Sequence, residues 1–258
     1  MNRLDVTLLP LLTDNYAYLL RDRATGRTAV VDPSEGEPVI RELERRGLEL
    51  DFVLNTHHHW DHVGGDQTLK ERYGCPVVGP AYDRHRLSVL DQGLTEGDTF
   101  FLGEQEARVL HVPGHTTGHI ALWFPDGEAV FCGDTLFSLG CGRMFEGTPE
   151  QMWASLERLR ALPAVTCVYC GHEYTEANAR FALAVEPENI DLQAKAREVR
   201  ERRATGLPTI PSTIGEERLT NPFFRPQSPE IRRRLHLEEA QDVEVFAELR
   251  RLKDEFRG

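Results

Sequence analysis

The chain has 258 residues, a formal net charge of -12, 40% hydrophobic residues and 28% charged ones. That length is enough for one large domain, or one domain with a small companion, and the balance is that of a soluble globular protein. The acidic excess repels phosphate backbones and anionic membranes, and no apolar run approaches the ~20 residues of a membrane span, so neither nucleic acid nor membrane is an expected partner.

The N-terminal stretch Met1–Pro10 lacks the features of a signal peptide, because Asp5 interrupts its apolar run and no small-residue cleavage site follows. It reads instead as the first strand. Short apolar runs bounded by Gly, Pro and Asp predict strands at Asp5–Leu9, Ala17–Leu20, Thr28–Val31, Phe52–Asn55, Val77–Gly79, Thr99–Leu102, Ala107–His111, Ile120–Phe124, Ala129–Cys132 and Thr166–Tyr169. Pro38–Arg46 has helical spacing at Val39, Ile40 and Leu43, and a further helix is expected after Gly64-Gly65. Thr148–Leu162 predicts a well-capped helix, with Thr148 as cap, Pro149 at the first helical position and Gln151 closing a capping box. Its apolar face is Met152, Leu156 and Leu159.

From Glu173 onward strand signals stop. Thr175–Val185 and Glu188–Arg203 are predicted helices, Gly206–Arg225 a polar connector, and Glu239–Phe256 a last helix burying Val243, Phe246, Leu249 and Phe256. The expectation is an α/β domain over residues 1–173 and a small all-helical domain over 174–258.

The five cysteines are odd in number and fall in strand-like segments, which predicts a reducing, cytoplasmic setting without a disulfide framework. Cys167 and Cys170 form a C-x-x-C, but within an apolar strand they are expected to be core residues.

Residues 55–66 read N-T-H-H-H-W-D-H-V-G-G-D, directly after a buried strand. Side chains alternate along an extended loop, so His57 and His59 share a direction and His58 takes the other. Asp61 and His62 follow once the chain has begun to turn. The H-x-H-x-D-H pattern thus offers two nitrogens to one metal ion, and an oxygen and a nitrogen to a second. Three further polar residues follow glycines at strand ends: His115, Asp134 and His172. Asp32, closing the strand Ala29-Val-Val, is expected either to hydrogen-bond a ligand histidine or to cap a turn. His58 is expected to pack or to support the site from behind, and His119 to support its pocket. His111, His85 and His236 are not expected to be ligands.

The motifs T-H-H-H-W-D-H, P-G-H-T-T-G-H, G-D-T-L-F and C-G-H-E-Y-T, in this order, resemble the metallo-β-lactamase-fold hydrolases. Pro211-Ser-Thr-Ile-Gly-Glu-Glu-Arg-Leu-Thr-Asn-Pro-Phe-Phe-Arg and Arg250-Arg-Leu-Lys-Asp-Glu-Phe narrow the resemblance to the glyoxalase II (hydroxyacylglutathione hydrolase) family and extend it over essentially the whole chain. The resemblance implies an αββα sandwich with a C-terminal helical, glutathione-binding domain. It implies one metal on His57, His59 and His115, a second on Asp61, His62 and His172, and Asp134 bridging them. Zinc, iron or manganese would suit these donors, and a hydroxide bridging two ions would be the nucleophile. For the substrate it implies Arg143 and Phe145 in Gly140–Gly147, then Tyr174, Arg250 and Lys253. The family commonly has Tyr in place of Phe145 and often Lys in place of Arg143.

The implied activity is hydrolysis of S-(2-hydroxyacyl)glutathione, typically S-D-lactoylglutathione, to D-lactate and glutathione, a step in methylglyoxal degradation, by a monomer. Three other functions deserve comparison. A mononuclear iron dioxygenase acting on glutathione persulfide would need only one ligand set, and Asp61, His62 and His172 argue against it. A nucleic-acid-processing metallohydrolase conflicts with the charge. A non-catalytic metal-binding protein conflicts with the filled ligand positions.

Overall fold

The computed structural model describes residues 4–257. The chain forms two compact units, one of residues up to 111 together with 117–133, the other of residues 112–116 and 134 onward.

The first unit holds a six-stranded sheet in the order β1-β2-β3-β4-β5-β6: β1 (Leu4–Leu11), β2 (Asn15–Asp22), β3 (Thr28–Val31), β4 (Phe52–Leu54), β5 (Val77–Pro80) and β6 (Gln92–Leu94). The first three strands pair antiparallel and the last four parallel. Parallel strands need long crossovers. Helix α1 (Gly36–Arg46) supplies one, and α2 (Trp60–Val63) with α3 (Asp66–Tyr73) supplies the next. Strand β3 is buried at all four residues, the near-continuous apolar run of a strand covered on both faces. Val39, Ile40 and Leu43 of α1 and Leu69 of α3 pack in one core with Leu19, Val30, Val53 and Val77. Each fully buried side chain of this size contributes about 1.5–3 kcal/mol.

Four more strands of this unit, β7 (Thr99–Leu102), β8 (Gln105–His111), β9 (Ile120–Phe124) and β10 (Ala129–Gly133), pair antiparallel in the order β10-β9-β8-β7. Aromatic edges stitch them to the first sheet: Phe52 meets Phe100 at 5.1 Å, and Tyr18 meets Phe131 at 5.5 Å.

Register explains the position of the histidine loop. Val31 of β3 pairs with Leu54 of β4, so both strands end side by side. Asp32 therefore emerges next to Asn55 and Thr56. The loop is pinned from the other sheet too, because the Ile120 amide donates to the Thr56 carbonyl at 2.9 Å.

The second unit begins with a two-strand hairpin, β11 (Leu136–Phe137) and β12 (Gly140–Cys141), followed by α4 (Pro149–Arg160). Thr148 and Gln151 form the capping box expected of them, and Met152, Leu156 and Leu159 are buried. Then come β13 (Cys167–Cys170), α5 (Thr175–Val185), α6 (Ile190–Ala204), β14 (Ser212–Thr213), α7 (Ile214–Thr220), α8 (Pro229–Leu235) and α9 (Asp242–Glu255).

Three sequence expectations need correction. The stretch after 173 is not strand-free, since Cys167 and Val168 of β13 pair with Thr213 and Ser212 of β14. The supposed connector 206–225 also contains helix α7. Thr213 accepts from the Glu216 amide while Glu216 accepts from the Thr213 amide, a capping box visible in the sequence as T-x-x-E. In α9 the buried residues are Val245, Phe246, Leu249 and Arg250; Val243 and Phe256 are only half-buried.

Candidate metal centre

In the first unit, His57 and His62 are fully buried, while His59 and Asp61 are partly exposed. His57 Nε2 lies 3.2 Å from His59 Nδ1, so two ring nitrogens converge, as the alternating loop predicted. Asp61 Oδ2 and His62 Nε2 stand 3.7 Å apart. His58 turns elsewhere: its Nδ1 lies 3.0 Å from the buried carboxylate of Asp83.

Other hydrogen bonds fix the far side of these rings. Thr56 donates its hydroxyl to Asp32 at 2.7 Å, so the same oxygen accepts from His57 Nδ1 at 3.0 Å. His62 Nδ1 donates to Asp32 at 3.2 Å. One buried carboxylate thus orients two imidazoles with their Nε2 atoms directed away from it, the usual arrangement behind metal-bound histidine. Asp32 sits in the left-handed region with φ 50°, and its other oxygen accepts from the Thr56 amide. Asp32, His57 and His62 lie close enough to form a ligand trio of their own. Asp32 accepts from His62 Nδ1 and from the Thr56 hydroxyl, so within that trio Asp32 is the support behind the two imidazoles. His119 is buried and stacks flat on His57, with centroids 4.6 Å apart. Asp32→Ala is expected to weaken metal binding about 10–100-fold, read by chelator competition.

Asn15 is a residue that sequence reading missed. Its amide donates to the Asp61 carbonyl at 2.9 Å and to Asp61 Oδ2 at 3.1 Å. Ser34 also donates to the Asp61 carbonyl. Neither Asn15 nor Ser34 carries a local signal; tertiary contact brings both to Asp61.

In the second unit, His115, Asp134 and His172 are all buried. Asp134 Oδ2 lies 3.5 Å from His115 Nε2 and 3.3 Å from His172 Nε2, so one carboxylate oxygen faces two imidazoles. His115 Nδ1 donates to the Arg143 carbonyl at 2.8 Å, leaving Nε2 for a cation. Gly142 is required here. Any Cβ on it would meet the Asp134 carbonyl oxygen at 1.9 Å. Gly133, just before Asp134, has φ 46°, and a Cβ there would meet Thr56 Oγ1 at 2.3 Å.

Aromatic rings cover two of these histidines. Tyr174 stacks on His172, with centroids 4.7 Å apart and planes 2° from parallel. Phe145 is 64% exposed and meets His115 edge-on at 5.3 Å. Arg143 is exposed and lies 3.5 Å from Asp254. Lys253 is half-buried. It donates to the Ala177 carbonyl and lies over the Phe181 and Phe256 rings, and burial pushes its ammonium down to about 8.

Arg250 is not on a solvated face. It is 4% exposed, donates to the Cys141 carbonyl at 2.8 Å and to Asp254 at 2.8 Å, and stacks over Phe223. Arg251 is the solvated one, paired with Glu248 and Glu255. Cys167 and Cys170 are not disulfide-bonded; Cys170 is buried and donates to the His172 carbonyl, and burial raises its pKa.

The donor set suits divalent cations. It combines imidazole nitrogens, already oriented by acceptors on their other face, with carboxylate oxygens. The described residues carry histidine and aspartate groups suited to a dinuclear metal site. No helix of the described residues is long and apolar enough to cross a membrane.

Comparison with known proteins agrees with this chemistry. The metallo-beta-lactamase superfamily matches residues 12–172, and the hydroxyacylglutathione hydrolase C-terminus matches residues 173–256. Hydroxyacylglutathione hydrolase of Methylococcus capsulatus is 58% identical over 99% of this chain and 100% of its own length. That of Rhodospirillum rubrum is 51% identical over 99% and 100%. Among solved structures, ETHE1 from Myxococcus xanthus superposes with a TM-score of 0.66 at 28% identity, covering 94% of this chain and 95% of that one. A protein solved in a di-iron-bound form gives 0.61 at 28% identity, covering 85% and 99%. With the metallo-β-lactamase fold, the matching C-terminal helical region and this full-length similarity, the chain belongs to the hydroxyacylglutathione hydrolase (glyoxalase II) family of enzymes.

Proposed function

We propose that the chain hydrolyses S-(2-hydroxyacyl)glutathione, with S-D-lactoylglutathione the typical substrate, to the hydroxy acid and glutathione in methylglyoxal degradation. His57, His59 and His115 would hold one divalent ion, Asp61, His62 and His172 a second, and Asp134 would bridge them. The single observation that carries the reading is the oriented imidazole set: His57, His62 and His115 each bind a protein oxygen through Nδ1. Zinc is the metal we propose, with iron and manganese compatible with the same donors. When bound, the two ions would polarise the thioester carbonyl and lower the pKa of water toward about 7.

The chain's own residues would do the rest. Asp61 and Asp134 supply the anionic oxygens that let two cations sit close together. Residues 174–258 would form a glutathione-binding domain. Lys253 would attract a glutathione carboxylate, Arg143 would offer an exposed guanidinium, and Tyr174 and Phe145 would line the path to the reacting carbonyl. Arg250 would act partly by fixing the Cys141 carbonyl, and so the loop that carries Arg143 and Phe145. The protein would work as a cytoplasmic monomer, which cysteines without disulfide bonds suit.

Removal of metal by a chelator is expected to abolish hydrolysis of S-D-lactoylglutathione, and two equivalents of zinc per chain to restore it. Hydrolysis that survives chelation would overturn the reading. Oxygen consumption with glutathione persulfide would support the dioxygenase alternative instead.

A further inference from the structure

Side chains brace the turn joining β11 to β12. Leu139, at its tip, is buried with φ 59°, a left-handed conformation that branched residues rarely adopt. Its amide donates to Glu217 Oε2 at 2.9 Å. The Asn221 side-chain amide donates to the Phe137 carbonyl at 3.1 Å, to the Gly140 carbonyl at 3.0 Å and to Glu217 Oε2 at 2.9 Å. Asn178 donates to the Ser138 carbonyl at 3.1 Å. Glu217 and Asn221 are fully buried and Asn178 nearly so. Burial raises the Glu217 carboxyl above its usual range. A fully buried acid on α7 is costly unless it has a task.

The task is visible in what the turn carries. Asp134 lies just before β11. Across the hairpin, the Gly142 amide donates to the Thr135 carbonyl at 3.2 Å. The chain continues into Arg143, whose carbonyl accepts from His115 Nδ1, and Phe145, whose amide donates to the His115 carbonyl at 3.2 Å. Fixing the turn therefore fixes Asp134 on one side, and on the other the loop that orients His115.

We propose that Glu217, Asn221 and Asn178 are positioning residues for the metal centre, acting through the Phe137–Gly140 turn on Asp134, His115 and the Arg143–Phe145 loop. The α7 segment, in the substrate-binding region, thus also sets the geometry of the ligands. This rests on the thioesterase reading for its effect on turnover, but not for its effect on metal affinity.

The test compares the full-length protein with Glu217→Leu, Glu217→Gln, Asn178→Ala and Val199→Ala. Val199 is a buried residue of α6 and serves as a control for plain destabilisation. Zinc affinity is read by chelator competition, and kcat and KM with S-D-lactoylglutathione. Glu217→Leu is expected to weaken the looser zinc ion about 10–100-fold and to lower kcat, as loss of an outer partner of metal ligands does. Glu217→Gln keeps an oxygen for the Leu139 amide and should restore both. Asn178→Ala should shift both in the same direction by less, and Val199→Ala should shift neither. Unchanged zinc affinity in Glu217→Leu overturns the proposal, as does an equal loss in Val199→Ala. If Glu217→Leu does not fold, unchanged zinc affinity in Asn178→Ala decides against it. A wild-type protein that binds zinc but does not hydrolyse the thioester would sink the functional reading, while the zinc affinities would still decide this one.

Discussion

Asp134→Ala is expected to yield a folded protein that no longer retains two zinc ions and whose turnover of S-D-lactoylglutathione falls at least about 100-fold. Asp134 Oδ2 is the anionic atom between His115 Nε2 and His172 Nε2, at 3.5 and 3.3 Å. Two cations held close together repel strongly at low dielectric, and a shared carboxylate offsets that repulsion. Without it the repulsion is no longer offset, so one ion should be lost first. The fold should survive, because the apo state is relieved of a buried charge. Asp134→Asn separates shape from charge: it keeps the volume, and should still lose the second ion. Metal content per chain and kcat check both variants. Two retained ions with wild-type turnover in Asp134→Ala would refute the bridging role.

The second large effect concerns the two cations of α9, which sequence spacing alone makes equivalent. Lys253→Ala is expected to raise KM for glutathione thioesters about tenfold, the worth of one charge-assisted hydrogen bond, with kcat and KM for a short neutral thioester unchanged. Arg250→Ala should also lower kcat and reduce thermal stability, because Arg250 is buried against Phe223 and holds the Cys141 carbonyl. Its loss leaves that carbonyl without its donor and a cavity beneath the substrate loop. The Lys253 ammonium adds a pH signature. Burial holds it down to about 8, so its charge is present below that pH and lost above it. KM for the carboxylate-bearing substrate should therefore rise as pH passes through about 8, and this limb should disappear in Lys253→Ala. Equal effects of both variants on charged and neutral thioesters would reject the pocket.

The sequence made the strong periodic elements legible. Thr28–Val31, Thr99–Leu102, Ile120–Phe124 and Thr175–Val185 fold over the predicted residues, because burial on one face imposes a period and burial on both imposes a continuous apolar run, and local chemistry already displays each. The cap at Thr148 was equally legible. The two-residue strands β11, β12 and β14 were not, since two residues have no period. Helix α7 lay hidden among prolines and Gly215, although its T-x-x-E capping box was there to be read.

The histidine motif and the three later ligand candidates stand in the sequence because ligand chemistry demands particular side chains, and glycines mark the tight turns that carry them. What surrounds them was decided by the tertiary structure. Asp32 reaches His62 and Thr56 because β3 and β4 end in register, thirty and twenty-four residues apart in the chain. Asn15 holds Asp61 across 46 residues. Arg250 is a buried brace because the packing of α9, not its sequence, selects the face that turns inward. Donor identity is a local property and survives in sequence; orientation depends on contacts between distant segments, which no short window contains.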